Sequence, residues 1–134
     1  MPFLDILRQA ILLAKAAYES RMAHNRTDDL PIVASGSSAA VLKSRTAEER
    51  RLDSFLQSQT PAVVYLLTAV MYLGRGDFEV KDLRDQYEAM SESFGGREWA
   101  ARQMMEKLPL PDYLEQGLQK LIQSRFDADR LLGD

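Results

Sequence analysis

The chain has no cysteine in its 134 residues. That absence excludes disulfides, thiolate nucleophiles, iron–sulfur clusters and every cysteine-based zinc site. It fits a reducing compartment, and the cytoplasm is the expected location. Histidine is nearly missing as well: His24 is the sole representative of the side chain most used for acid–base work near neutral pH. It lies in the polar run Ala23-His24-Asn25-Arg26, and no His-x-x-x-His or Glu-x-x-His spacing accompanies it. The paired acids Asp28-Asp29 and Glu48-Glu49 read as solvated or helix-dipole charges. No serine can be given both a base and an orienting partner. The sequence therefore predicts no enzyme, no metal and no cofactor.

Long apolar runs are missing too. The most apolar stretch, Ala62 to Leu73, falls well short of the about 20 residues that a membrane-crossing helix needs, so no membrane partner is expected. At the start, Asp5 precedes the first base, Arg8, which is unlike a secretory signal. Nor is one sign of charge in large excess: 17 Lys and Arg stand against 20 Asp and Glu, a net charge of −3. The one basic cluster, Lys43, Arg45, Arg50 and Arg51, is interrupted by Glu48 and Glu49. So few free cations release too few counterions to hold a phosphate backbone at physiological salt, and nucleic acid is not an expected partner.

What is present points to helices. A hydrophobic share of 46% with 28% charged residues is the balance of an ordinary globular protein, and the length suits one domain, residues 1–134. Leu4, Leu7, Ile11, Ala14, Tyr18 and Met22 recur at helical steps, widened by Phe3, Ala10 and Ala17. From about 24 to 45 the chain turns polar, with Pro31 and Ser35-Gly36-Ser37-Ser38, and a flexible loop is predicted there. Thr46-Ala47-Glu48-Glu49 has the capping-box spacing. Leu52, Phe55 and Leu56 then form one face, and Thr60-Pro61 starts the next helix.

That next helix, 61–73, is apolar nearly all round and is expected to be the centre that the others surround. Gly74 is the expected left-handed cap, Gly76 frees the turn, and Asp77 caps the helix whose stripe is Val80, Leu83, Tyr87, Met90 and Phe94. Gly95-Gly96 ends that helix. Another runs from Arg97 to Leu108, with Trp99, Met104 and Met105 buried, and the last runs from Pro111 past Ile122, burying Leu114, Leu118, Leu121 and Ile122. With no period-two alternation, the reading is all-α: a single bundle of about five to six helices.

The glycines invite two functional readings that their surroundings do not support. A phosphate-binding loop needs a strand before it, and a Walker loop a lysine and hydroxyl after it; Leu73-Gly74-Arg75-Gly76-Asp77-Phe78 has neither. The same turn imitates an EF-hand, but Met71, Leu73 and Arg75 occupy the first ligand positions, where calcium requires oxygen. An EF-hand-like helix-loop-helix turn without calcium ligands is the expectation.

Two segments, Ala69-Val70-Met71-Tyr72-Leu73-Gly74-Arg75-Gly76-Asp77-Phe78 and Asp112-Tyr113-Leu114-Glu115-Gln116-Gly117-Leu118, resemble a family of small, functionally uncharacterised bacterial proteins. The resemblance runs from the helix at Pro61 to about Leu121. It implies a bacterial, helical, intracellular domain and carries no catalytic residues over. In physical terms the first segment is a glycine-dependent turn, and in the second Gly117 allows close helix approach. Arg75 has no evident duty in the turn and is expected to pair with Asp77 or Glu79, or to face a partner.

The function expected is that of a non-catalytic protein-interaction or adaptor module whose partner is another protein or a second copy of itself, a homodimer. The stripe Leu4 to Met22 and the Met104-Met105 pair beside Trp99 are its support. The alternative is an enzyme or small anionic-ligand binder with a site between helices around Arg75, Tyr72 and Tyr113. Arg75, Asp77, Tyr72, Tyr113 and Trp99 are the residues to locate.

Overall fold

A computed structural model describes residues 2–27, 45–92, 96–107 and 109–133, and of residues 24–27 the backbone alone. Among the described residues the chain is all-helical, with no strand. Those residues form seven helices where five to six were expected: α1 (Phe3–Thr27), α2 (Ala47–Ser58), α3 (Pro61–Arg75), α4 (Leu83–Ser91), α5 (Gly96–Glu106), α6 (Leu110–Ser124) and α7 (Asp129–Gly133). A 3₁₀ turn, Val80–Asp82, leads into α4. None of these helices is long and apolar enough to cross a membrane.

The predicted starts are made by the predicted atoms. The Thr46 hydroxyl accepts from Glu49 N–H at 3.1 Å, and the Glu49 carboxylate accepts from Thr46 N–H at 2.9 Å, which satisfies two otherwise orphaned donors of α2. Thr60 accepts from Val63 N–H at 3.3 Å, with Pro61 at the first helical position of α3. Helix α1 continues to Thr27, past the break expected at His24, whose side chain lies outside the described residues. Most of the Ser/Gly-rich loop, residues 28–44, and Phe94 lie outside them too.

Three expectations need correction. The left-handed cap falls at Gly76, with φ 95°, and Gly74 lies inside α3. Asp77 does not cap the helix that follows: the carboxylate reaching back there is that of Asp82, to Glu79 N–H at 3.3 Å. The polar tail forms α7, which buries Ala128 just before it, and the Asp129 carboxylate accepts from Phe3 N–H at 2.8 Å. Pro2 precedes α1 with no side-chain oxygen to offer, so an acid from the other end of the chain caps its first turn.

Helix α3 packs against α4, α5 and α6, while α1 packs against α2 and α6, and α2 against α5. On α3 the run Val63 to Leu73 is buried except at Tyr65 and Tyr72. Its one buried polar side chain, Thr68, donates to Val64 O at 2.8 Å, so it carries no unmet polar group into the core. The buried stripe of α1 comprises Phe3, Ile6, Leu7, Ala10, Ile11, Ala14 and Ala17, with Leu4 and Tyr18 at its margin. On α5, Ala100, Ala101 and Met104 are buried, and Trp99 and Met105 only in part.

Candidate functional site

The two segments singled out in the sequence meet face to face. A methyl group added at Gly74 on α3 would fall 1.7 Å from the Tyr113 carbonyl oxygen and 2.7 Å from Gly117 N on α6. One added at Gly117 would fall 2.5 Å from Val70 O. Only residues without a Cβ let the helices approach so closely, which raises the number of favourable backbone contacts along the crossing. Lys120 of α6 donates to Leu73 O at 2.9 Å, placing a cation on the carbonyl end of α3.

The turn after Gly74 uses its own polar groups. Gly76 N–H donates to Tyr72 O and Leu73 O, both at 3.1 Å, and Asp77 N–H donates to Tyr72 O at 3.1 Å. This is a Schellman-type closure, and it leaves those amides committed to the helix instead of to an anion.

Around that turn the structure gathers four of the five expected site residues. Arg75 donates to both oxygens of Asp77, from Nε at 3.0 Å and from Nη2 at 2.8 Å. Its guanidinium carbon lies 5.1 Å from the centroid of the Tyr72 ring, and Lys107 Nζ lies 5.7 Å from the same ring. The hydrogen bonds to Asp77 hold Arg75 above its ordinary pKa against slight desolvation, and the Asp77, Tyr72 and Tyr113 groups add to the effect. The Tyr72 hydroxyl meets Gln103 Oε1 at 3.4 Å. Trp99, one turn before Gln103 on α5, takes part in none of these contacts. The two-point pair with Asp77 satisfies the guanidinium fork within the turn, although both side chains stay more than a third exposed.

A second polar cluster escaped the sequence reading. Arg21 of α1 donates to both oxygens of Glu49, from Nε at 3.1 Å and from Nη2 at 2.5 Å, and both side chains are largely buried. Burial pushes the Glu49 carboxyl up. The Arg21 hydrogen bonds, the Thr46 N–H and the charges of Arg21 and Arg45 outweigh that and leave its pKa below the ordinary value. The same glutamate thus caps α2 and anchors α1 beside a small cavity lined by Ala14, Ala17, Leu52 and Met105. Of the basic cluster nearby, Arg45 pairs with Asp53 at 3.3 Å, Arg50 donates to Arg45 O, and Lys43 lies outside the described residues. Among the described residues no three Asp, Glu or His side chains converge as metal ligands would.

Shallow grooves also lie beside Tyr72, Asp77 and Phe78 and beside Phe78, Val80 and Lys120, and another lies on the opposite side of α6, between it and α1. From α1 come Arg8, Ile11, Leu12 and Lys15, and from α6 come Glu115, Leu118, Gln119 and Ile122. Each wall is an i, i+3, i+4, i+7 set, the spacing of one helix face. Ile11 and Leu118 form a buried floor. Above it Leu12 is 67% exposed and Ile122 43%, the large apolar side chains left in solvent among the described residues. Ile122 is a correction: expected in the core with Leu114, Leu118 and Leu121, it is exposed because no described helix covers its side of α6, and the exposure of Leu12 is hidden in the sequence because its helix also supplies core positions.

No curated protein and no solved structure matches the chain. Residues 49–122 match a protein family of unknown function, DUF3775. The matched span begins earlier than the resemblance at Pro61 suggested, inside α2 at Glu49, and it includes both glycine-joined segments and the α6 wall of the groove. With more than half of its residues inside that match, the chain belongs to the DUF3775 family.

Proposed function

We propose that this chain is a non-catalytic protein-interaction module that engages its partner through the α1–α6 groove. The carrying observation is that Leu12 and Ile122 flank one groove and are both exposed. Single exposed apolar side chains are ordinary on a protein surface, but two over a shared apolar floor, with charged residues along the rim, have the make-up of an interface core and its border. In this reading the bundle, built around the central apolar segment 61–73, is scaffold. Its EF-hand-like turn has Met71, Leu73 and Arg75 where calcium would need oxygen ligands, and the module works in a reducing cytoplasm, as a chain without cysteine suits.

The alternative of an anionic ligand at Arg75, Tyr72 and Tyr113 is less favoured, since a ligand would have to displace Asp77 from a two-point pair. The absence of cysteine and the single histidine speak for a non-catalytic role.

The test is a photocrosslinking amino acid placed at position 12 of the full chain in living cells. An adduct with a polypeptide, lost when Ile122 is also changed to Lys, is the expected result. A chain that forms no adduct at position 12 while crosslinking from Arg75 would move the function to the turn.

A further inference from the structure

Resting on the proposed docking role of the α1–α6 groove, we infer that its occupant is a second copy of this chain, related by a two-fold axis. The argument is the charge on the two walls. The α1 wall carries Arg8 and Lys15, and the α6 wall carries Glu115. Among the described residues Lys15 and Glu115 make no ion pair, Glu115 accepts only a long 3.5 Å hydrogen bond from Gln119, and Arg8 reaches Asp5 only at 3.7 Å with both side chains more than half exposed, so these charges remain available to a partner.

A two-fold dimer makes each contact twice, because residue i of one copy meets residue j of the other and the reverse. Laying the α1 wall of one copy antiparallel on the α6 wall of the other sets Lys15 against Glu115 in both halves and, three residues further on, brings Leu12 over the partner's Leu118 on the groove floor, with Ile122 beside it. Laying α1 on α1 would oppose like charges, so the pattern selects one register. A foreign partner would need its own matching acid and base; a second copy carries them already. Two exposed apolar anchors per copy suit a weak dimer, dissociating at about micromolar concentration.

Sedimentation equilibrium of the full chain over roughly 1–200 μM tests this. The expected result is a mass rising from the 15.2 kDa of one chain toward twice that value. Leu12→Glu should abolish the rise, and its exposed position means that the fold survives, which circular dichroism checks. Lys15→Glu and Glu115→Lys should each weaken association about three- to tenfold, because each breaks two symmetric pairs, and the double variant should regain most of the loss.

A single-chain mass at the highest concentration overturns the inference, as does a dimer indifferent to Leu12→Glu or charge variants that fail to rescue each other. These outcomes separate the two levels of the argument. A monomer that crosslinks from position 12 to a different polypeptide overturns self-association and keeps the docking reading, whereas a monomer without any such adduct removes both.

Discussion

Toward α3, helix α6 presents Gly117 and the Tyr113 carbonyl, and the two backbones meet with no room for a methyl group. Toward α1 the same helix presents Glu115, Leu118, Gln119 and Ile122 along an open groove, with Ile122 and Leu12 left in water. The first side is closed by deleting side chains, the second held open by retaining apolar ones. Folding explains the closed side, since direct backbone contact adds dispersion that a larger residue would forfeit. It does not explain the open side, where exposed leucine and isoleucine contribute little to the fold. The segments that drew attention in the sequence, 69–78 and 112–118, therefore read as scaffold, while the proposed surface lies on faces with no distinctive motif. The family match repeats this division: it spans the α3–α6 joint and takes in the α6 wall of the groove but not the α1 wall.

The largest expected effect is at the closed side. Gly74→Ala places a methyl group 1.7 Å from a backbone oxygen, which no rotamer change can relieve, so α3 and α6 must separate. That should cost at least about 3 kcal/mol, overriding the roughly 1 kcal/mol by which alanine favours a helix over glycine. Urea denaturation with unchanged m-value would check it.

A smaller effect is expected at the pair joining α1 to α2. Glu49→Gln should cost about 1.5 kcal/mol at pH 7, because Arg21 keeps its position but loses its charged acceptor. The pH dependence follows from the lowered pKa of Glu49. Its contribution is fully present above the unfolded value of 4.5 and is lost as pH falls through the still lower folded value. Wild-type stability should therefore decline more steeply than that of Glu49→Gln below pH 4.5, as read from thermal melts across that range. Equal slopes would mean that the pair does not titrate with folding.

Smaller again is the cap supplied by α7: Asp129→Ala should cost about 1 kcal/mol and raise hydrogen exchange in the first turn of α1. If exchange there is unchanged, the Phe3–Asp129 bond is not holding the helix end.

How far the chain could be read in advance depended on distance along it. Thr46 with Glu49, and Thr60 with Val63, are three residues apart, so spacing alone located two helix starts. Gly117 is legible as a site of close approach, but its partner Gly74 has the sequence setting of a cap, since only the position of α6 reveals what occupies the space above it. Arg21 and Glu49 are 28 positions apart, and Phe3 and Asp129 are 126 apart. No periodicity joins such residues; tertiary packing does. Asp77 departs from its expected capping role for the opposite reason: a nearer partner, Arg75, holds its carboxylate. Arg75, Asp77, Tyr72 and Tyr113 do gather, and the expected internal pair forms with Asp77, two residues away, and not with Glu79. The exposure of Leu12 is hidden, because a helix face reads as apolar whether or not a neighbour covers it.

The contrast between the two sides of α6 is tested most directly by urea unfolding of Gly117→Ala beside Leu12→Ser, both at submicromolar concentration so that association adds nothing to stability. The account predicts a loss of at least about 2 kcal/mol for Gly117→Ala and a change within about 0.5 kcal/mol for Leu12→Ser. Equal losses, or a larger one at Leu12, would contradict it, because the groove would then be part of what holds the fold together.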